Sequence, residues 1–216
     1  MRKLNNGMTA AMLLVAFALS GCELSETRKA LAHATALKTS LVDFEQERTN
    51  TVAVVAKSEQ TLNELGKATT AEQVATTSEA WEKSAEEMAE RVTALKERFE
   101  AVTRDGELFF QKLDQEAREV KNPGLRSSSE EKNRLLKVEW VSAHLAAAET
   151  IGKLDALGSD NDDIGRVIRM ASMRSQLKTR IGELRKIADE SRTALTDLAK
   201  LTNQGNELLR FAANGD

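Results

Sequence analysis

The chain has 216 residues, with 31 Lys and Arg against 34 Asp and Glu, one cysteine, one proline and no tyrosine. A single cysteine excludes an internal disulfide framework, and 30% charged residues with only 4% aromatics speak for long helices rather than strands. The net charge of -3 gives no basic excess of the kind on which nucleic-acid binding rests, so no nucleic-acid partner is expected.

The first 22 residues do not read as part of a fold. Arg2 and Lys3 make a short basic start, Met8 to Leu19 is apolar except for Thr9, and the small residues Ser20 and Gly21 precede Cys22. This is the order of a secretory signal. The apolar run of about 12 residues falls short of the roughly 20 that cross a bilayer. Its end, Leu19-Ser20-Gly21-Cys22, resembles the lipobox of bacterial lipoproteins. That resemblance implies cleavage before Cys22, a diacylglycerol on its sulfur and acylation of the new amino terminus. It also implies sorting. Asp after the cysteine usually marks inner-membrane retention, whereas Glu23 stands there and favours the outer membrane of a Gram-negative cell. The expected division is therefore a signal peptide over 1–21 and a mature, lipid-anchored domain over 22–216, facing the periplasm. The alternative is a core cysteine within an uncleaved signal anchor.

In the mature chain a first helix is expected from about Ser25 to Leu65. Its seam is Ala34, Leu37, Leu41, Phe44, Val55, Leu62 and Leu65, with Arg48, Thr51 and Ser58 weakening the middle and Gly66 stopping it. Thr70 to Val120 carries the clearest signal. Val74, Trp81, Ala85, Met88, Val92, Leu95, Phe99, Val102, Phe109, Leu113 and Val120 recur in steps of four and three, broken only by Ser78, Gly106 and Glu116. This is one long amphipathic helix with a coiled-coil-like seam. Thr70 and Gln73 have capping-box spacing. Gly106 reads first as a tolerated irregularity and second as the close approach of another helix.

Asn122-Pro123-Gly124 ends that helix. A third is expected to be capped by Ser127 to Ser129 and to stop at Gly158. It carries two apolar stripes, Leu135, Val138, Val141, Leu145 and Ala148 beside Trp140, Ala147, Ile151 and Leu154, so it should touch more than one neighbour. Ser159-Asp160-Asn161-Asp162-Asp163 reads as a loop capping a fourth helix to about Ala212, whose seam Arg174, Ser191, Thr202 and Gly205 interrupt. At about 1.5 Å per residue these helices would measure roughly 60, 75, 45 and 75 Å, an unequal set. The expected fold is all-α, an elongated antiparallel bundle or coiled coil of about four long helices, its oligomeric state open. The segment from about Glu79 through Asn122-Pro123-Gly124-Leu125-Arg126 to Leu135 is similar to an uncharacterised family of exported, helical bacterial proteins. That likeness implies architecture and no mechanism.

Chemistry is sparse. His33 and His144 belong to no metal-ligand pattern, and no nucleophile elbow or Gly-rich phosphate loop is present. Asp160, Asp162 and Gly165 have calcium-loop spacing, but Ile164 and Ala171 occupy ligand positions five and twelve. No catalytic residue, cofactor or metal is nominated, and the chain reads as a non-enzyme. Charge offers one candidate. Arg166, Arg169, Arg174, Lys178, Arg180, Arg185 and Lys186 face only Glu183 between Ile164 and Lys186, a net +6. They read either as a patch for anionic lipid or a phosphate-bearing polymer, or as internal partners of the seven glutamates from Glu79 to Glu100. The function expected is a non-catalytic scaffold or partner-binding module, anchored by lipid and bound to another envelope protein. The alternative is a ligand-sensing or carrier bundle with a pocket near Trp140.

Replacing Cys22 by Ala should abolish fatty-acid labelling and leave the precursor unprocessed. Mature protein that still carries label in that variant would rule out the lipobox assignment.

Overall fold

The computed structural model describes the backbone of residues 23–170 and 174–214, and side chains over 32–161 and 178–210. Four α-helices occupy these segments: α1 (Glu23–Lys67), α2 (Ala71–Glu119), α3 (Pro123–Met170) and α4 (Arg174–Asn214). No strand is present among the described residues. The lipobox and Cys22 lie outside them. None of the described helices is long and apolar enough to cross a membrane.

Each helix packs on two others. α1 lies against α2 and α4, α3 lies against the same two, and the diagonal pairs do not meet. The pairings are antiparallel throughout. Lys57 reaches Glu87 and Arg91 reaches Glu47 between α1 and α2, while Lys96 pairs with Asp155 and Lys137 with Asp114 between α2 and α3. Arg48 donates to the Leu195 carbonyl and Arg185 donates to Asn63 between α1 and α4. The result is an up-and-down four-helix bundle.

The helices are nearly equal in length, at 45, 49, 48 and 41 residues, or about 60 to 75 Å each. This corrects the expected stop at Gly158. Gly158 through Asp163 is helical, and α3 continues to Met170. The polar run 159–163 is neither a loop nor a cap. An isolated glycine costs a helix only about 1 kcal/mol. Stopping there would leave one side of a bundle layer open. That layer holds Leu62, Leu65, Trp81, Ala85, Ile181, Leu184 and Ile187, with Leu157 packed on it, and Asn161 is itself buried. Burial of several large side chains, worth about 1.5–3 kcal/mol each, outweighs the local signal.

Two helix starts are local chemistry. Thr70 accepts from the Gln73 amide, and the Gln73 side chain accepts from the Thr70 amide, so the expected capping box is present. For α3 the cap is Asn122, not the serines. Its Oδ1 accepts from the amides of Gly124 and Leu125, and Pro123 takes the first helical position, where no amide is needed. Gly66 also falls inside α1, which ends one residue later.

The core has two apolar clusters. The larger runs from Leu37 and Leu208 to Val55 and Leu154, and the smaller is the layer around Trp81. Buried Ser58, Ser84 and Ser191 come near their boundary, on α1, α2 and α4. Thr51, which seemed to weaken α1, is fully buried and donates to the Glu47 carbonyl. Thr51 and Ser84, which donates to the Trp81 carbonyl, satisfy themselves within their own helices and pass as small core residues, whereas the Ser191 hydroxyl has no partner among the described residues.

Gly106 is not a tolerated irregularity. A Cβ there would lie 2.4 Å from Cζ2 of Trp140, so the indole of α3 occupies the space a side chain would take. Gly205 of α4 stands in a similar relation. Its Cβ would lie 2.7 Å from Leu41 Cδ1 and 3.4 Å from Trp140 Cζ3. Trp140 is thus wedged between two glycines on its two neighbouring helices.

Gly106→Ala should destabilise the protein by about 1–3 kcal/mol through overpacking, although alanine is the better helix former. Gly152→Ala, which meets nothing within 4 Å, should stabilise by up to about 1 kcal/mol. Urea titrations of the two variants check the contrast.

Candidate functional site

The Trp140 wedge organises a polar site one turn farther along α3. His144 follows by four residues, so both rings lie on the side facing α2. There the His144 ring stacks on Phe99 at 4.8 Å between centroids and 17° between planes. Phe99 in turn contacts Phe44, and Trp140 contacts Phe110. Thr103 Oγ1 lies 2.9 Å from the Phe99 carbonyl and 2.7 Å from His144 Nε2. The hydroxyl has one proton, and the carbonyl can only accept. With Thr103 donating to Phe99, its oxygen is left to accept from His144, an arrangement that calls for the tautomer with the proton on Nε2. Burial holds the His144 pKa below its ordinary value near 6.5, opposed by the negative charge of Glu107.

Beside this pair a groove of about 590 Å³ opens between α2 and α3. Its floor includes Phe110, Trp140 and Val141, and its rim carries Glu107, Arg118 and the Asp114–Lys137 ion pair at 3.3 Å. The groove has an apolar floor, a charged rim and one imidazole. It holds no serine or cysteine against the imidazole. Among the described residues no group of three or more His, Cys, Asp and Glu could hold a metal ion. The calcium-like spacing at Asp160 lies on continuous helix and makes no loop. His33, the other histidine, is half-buried on α1 near its start, apart from this groove. The Phe99, Thr103 and His144 cluster was not foreseeable, because it joins residues 40 and more apart whose spacing carries no motif.

The basic segment is split by the change at Met170. Arg166 and Arg169 belong to the end of α3, while Arg174, Lys178, Arg180, Arg185 and Lys186 belong to α4. The side chains of Arg166, Arg169 and Arg174 lie outside the described ones. Lys178, Arg185 and Lys186 are exposed. Arg180 pairs with Glu183 at 2.7 Å, Lys186 with Glu190 at 3.6 Å, and Arg185 donates to Asn63. Among the described residues α2 and α4 are diagonal and make no close approach, and Arg180, Arg185 and Lys186 take these partners rather than the glutamates of α2. Glu87 pairs instead with Lys57 of α1, and Glu79 with Lys83 of its own helix. For Arg180, Arg185 and Lys186 the expected pairing with α2 is replaced by these contacts. The segment flanks the α3–α4 junction, at the same end of the bundle as the 68–70 turn.

The two stripes of α3 also part company. Trp140, Ala143, Ala147, Ile151 and Leu154 are buried against α2 and α4, whereas Leu135, Val138, Val141 and Leu145 are exposed. One stripe serves both neighbours, and the other has none.

Family models, curated proteins and solved structures give no match to this chain.

A group whose pKa falls on folding takes up its proton first in the unfolded chain. Stability should therefore fall as pH drops from about 6.5 through the lower folded pKa of His144. Thermal melts from pH 7.5 to 5 should show this slope in the parent and a flatter one in His144→Gln.

Proposed function

We propose that the protein is a non-catalytic, lipid-anchored scaffold of the cell envelope, a helical rod that holds a binding surface at a fixed distance from its membrane. The observation that carries this reading is the start of α1. It begins at Glu23, the residue after the lipobox cysteine, so no flexible spacer would separate the anchor from the rod. A bundle 60 to 75 Å long would then project its far end by that distance or lie along the membrane surface. Three acyl chains on Cys22 exceed the two signals needed for stable attachment.

The far end carries the junction between α3 and α4 and with it the basic segment. Exposed Lys178, Arg185 and Lys186 support an anionic partner there, such as a phosphate-bearing envelope polymer or an anionic lipid surface. The groove beside Trp140 and His144 favours a second reading, a carrier of an apolar or anionic ligand. Quenching or shift of Trp140 emission on ligand titration is its test.

Reversing Lys178, Arg185 and Lys186 to Glu separates surface from structure. The triple variant should melt within a few degrees of the parent, since exposed pairs contribute only about 0.2–1 kcal/mol each. It should lose salt-dependent binding to vesicles containing anionic lipid or to envelope polymers. Unchanged binding by the folded variant would remove the basic segment from the model.

A further inference from the structure

Helix α3 is apolar on two opposite sides. At 100° per residue, Trp140, Ala143, Ala147, Ile151 and Leu154 point one way, into the bundle. Val138 and Leu145 centre about 170° away, on the side that no other described helix covers, and Val141 lies between them and the groove beside α2. Val138 is 57% and Leu145 62% exposed, and Leu135 flanks them at 51%. The outward face of a bundle helix is ordinarily its charged face. The exposed stripe runs from Leu135 to Leu145, about 15 Å.

We infer that this outward stripe pairs with the same stripe of a second copy, α3 against α3 in antiparallel, about a two-fold axis passing between Val141 and Ser142. The stripe's charges select this occupant and this direction. On the same outward face, Glu131 and Arg134 close one end and Glu149 and Lys153 the other, each an ion pair within the helix. Turned end for end about the 141/142 midpoint, Arg134 comes opposite Glu149 of the second copy, and the Glu130-Glu131 end comes opposite Lys153. The same operation sets Val138 against Leu145 and Leu135 against Ala148. Val138 with Leu145 and Arg134 with Glu149 lie about 10° and 30° to either side of the seam centre, close enough to form layers of an antiparallel helix pair, while Leu135, Ala148, Glu130 and Lys153 lie on its flanks. A parallel pair would set Glu131 against Glu131 and Arg134 against Arg134, like charge on like. The surface is self-complementary in the sense a two-fold interface requires. The inference does not depend on the lipid anchor; with that anchor, the two lipids would stand at opposite ends of the dimer and both rods would lie along the membrane surface.

The test uses the full chain extracted in mild detergent. Sedimentation should give a monomer–dimer equilibrium that Leu145→Glu weakens about tenfold or more, since a charge would be buried without a partner. Arg134→Glu should also weaken it, and Arg134→Glu with Glu149→Arg should restore it. Rescue would not follow if these residues acted only within their own helix caps and pairs. Oxidation should link Ser142→Cys into a covalent dimer, whereas Ala53→Cys on the exposed side of α1 should link no more than the unsubstituted chain, which controls for Cys22. Circular dichroism on each variant separates lost pairing from lost fold, and a variant that unfolds is replaced by Val138→Lys. A chain monomeric at all concentrations would overturn the inference. So would a dimer indifferent to Leu145→Glu, or one linked equally well through residue 53.

Discussion

The bundle depends on one intrusion, the Trp140 indole pressed into the backbones of its two neighbours. Its ring lies over Gly106 of α2 and reaches toward Gly205 of α4, where Leu41 of α1 closes the remaining space. Three helices therefore meet through one side chain, and α1 joins them at Gly205. Such a wedge fixes axial register. A slide of one turn along either neighbour would present a side chain instead of hydrogen to the ring, at a cost set by close packing rather than by hydrophobicity. Heptad seams alone permit slippage by whole turns, and α2 in particular repeats closely enough to allow it.

The wedge also explains where polar groups are found. Because Trp140 holds α3 close to α2, His144 one turn on is drawn against Phe99 and Thr103 and loses part of its water. The depressed basicity of that imidazole is a by-product of packing. The open groove beside it is lined by Phe110 and Trp140 of the same aromatic layer and edged by the Asp114–Lys137 pair. Site and core are thus two consequences of the same contact.

Much of the architecture was legible because it is periodic. The α2 seam from Trp81 to Phe109, the Thr70 capping box and the break at Asn122-Pro123 follow from spacing and local stereochemistry. The α3–α4 boundary was not legible. Gly158 and the Asp-rich run imitate a loop, and only a neighbour's unpaired core, visible once Trp81, Leu184 and Leu62 are brought together, shows why the helix must continue. Gly106 was ambiguous for the same reason, since its partner lies 34 positions away and leaves no trace near it. Of the candidate site, the charges of the basic segment could be counted but not assigned, because assignment needs to know which helices are diagonal. The two stripes of α3 could be seen, but not which one faced inward.

The placement of the tryptophans has an optical consequence. The chain has two and no tyrosine, so its near-ultraviolet emission comes from Trp81 and Trp140 alone. One lies in each apolar cluster, both are almost wholly shielded from water, and buried Ser58, Ser84 and Ser191 mark the region between them. The two indoles differ in surroundings as well as position. Trp140 has aromatic neighbours in Phe110 and His144, while the Trp81 ring N–H has no hydrogen-bond partner among the described residues. The protein thus carries a separate native chromophore for each half of its length, able to report whether the two halves of the rod melt as one body or come apart at the serines.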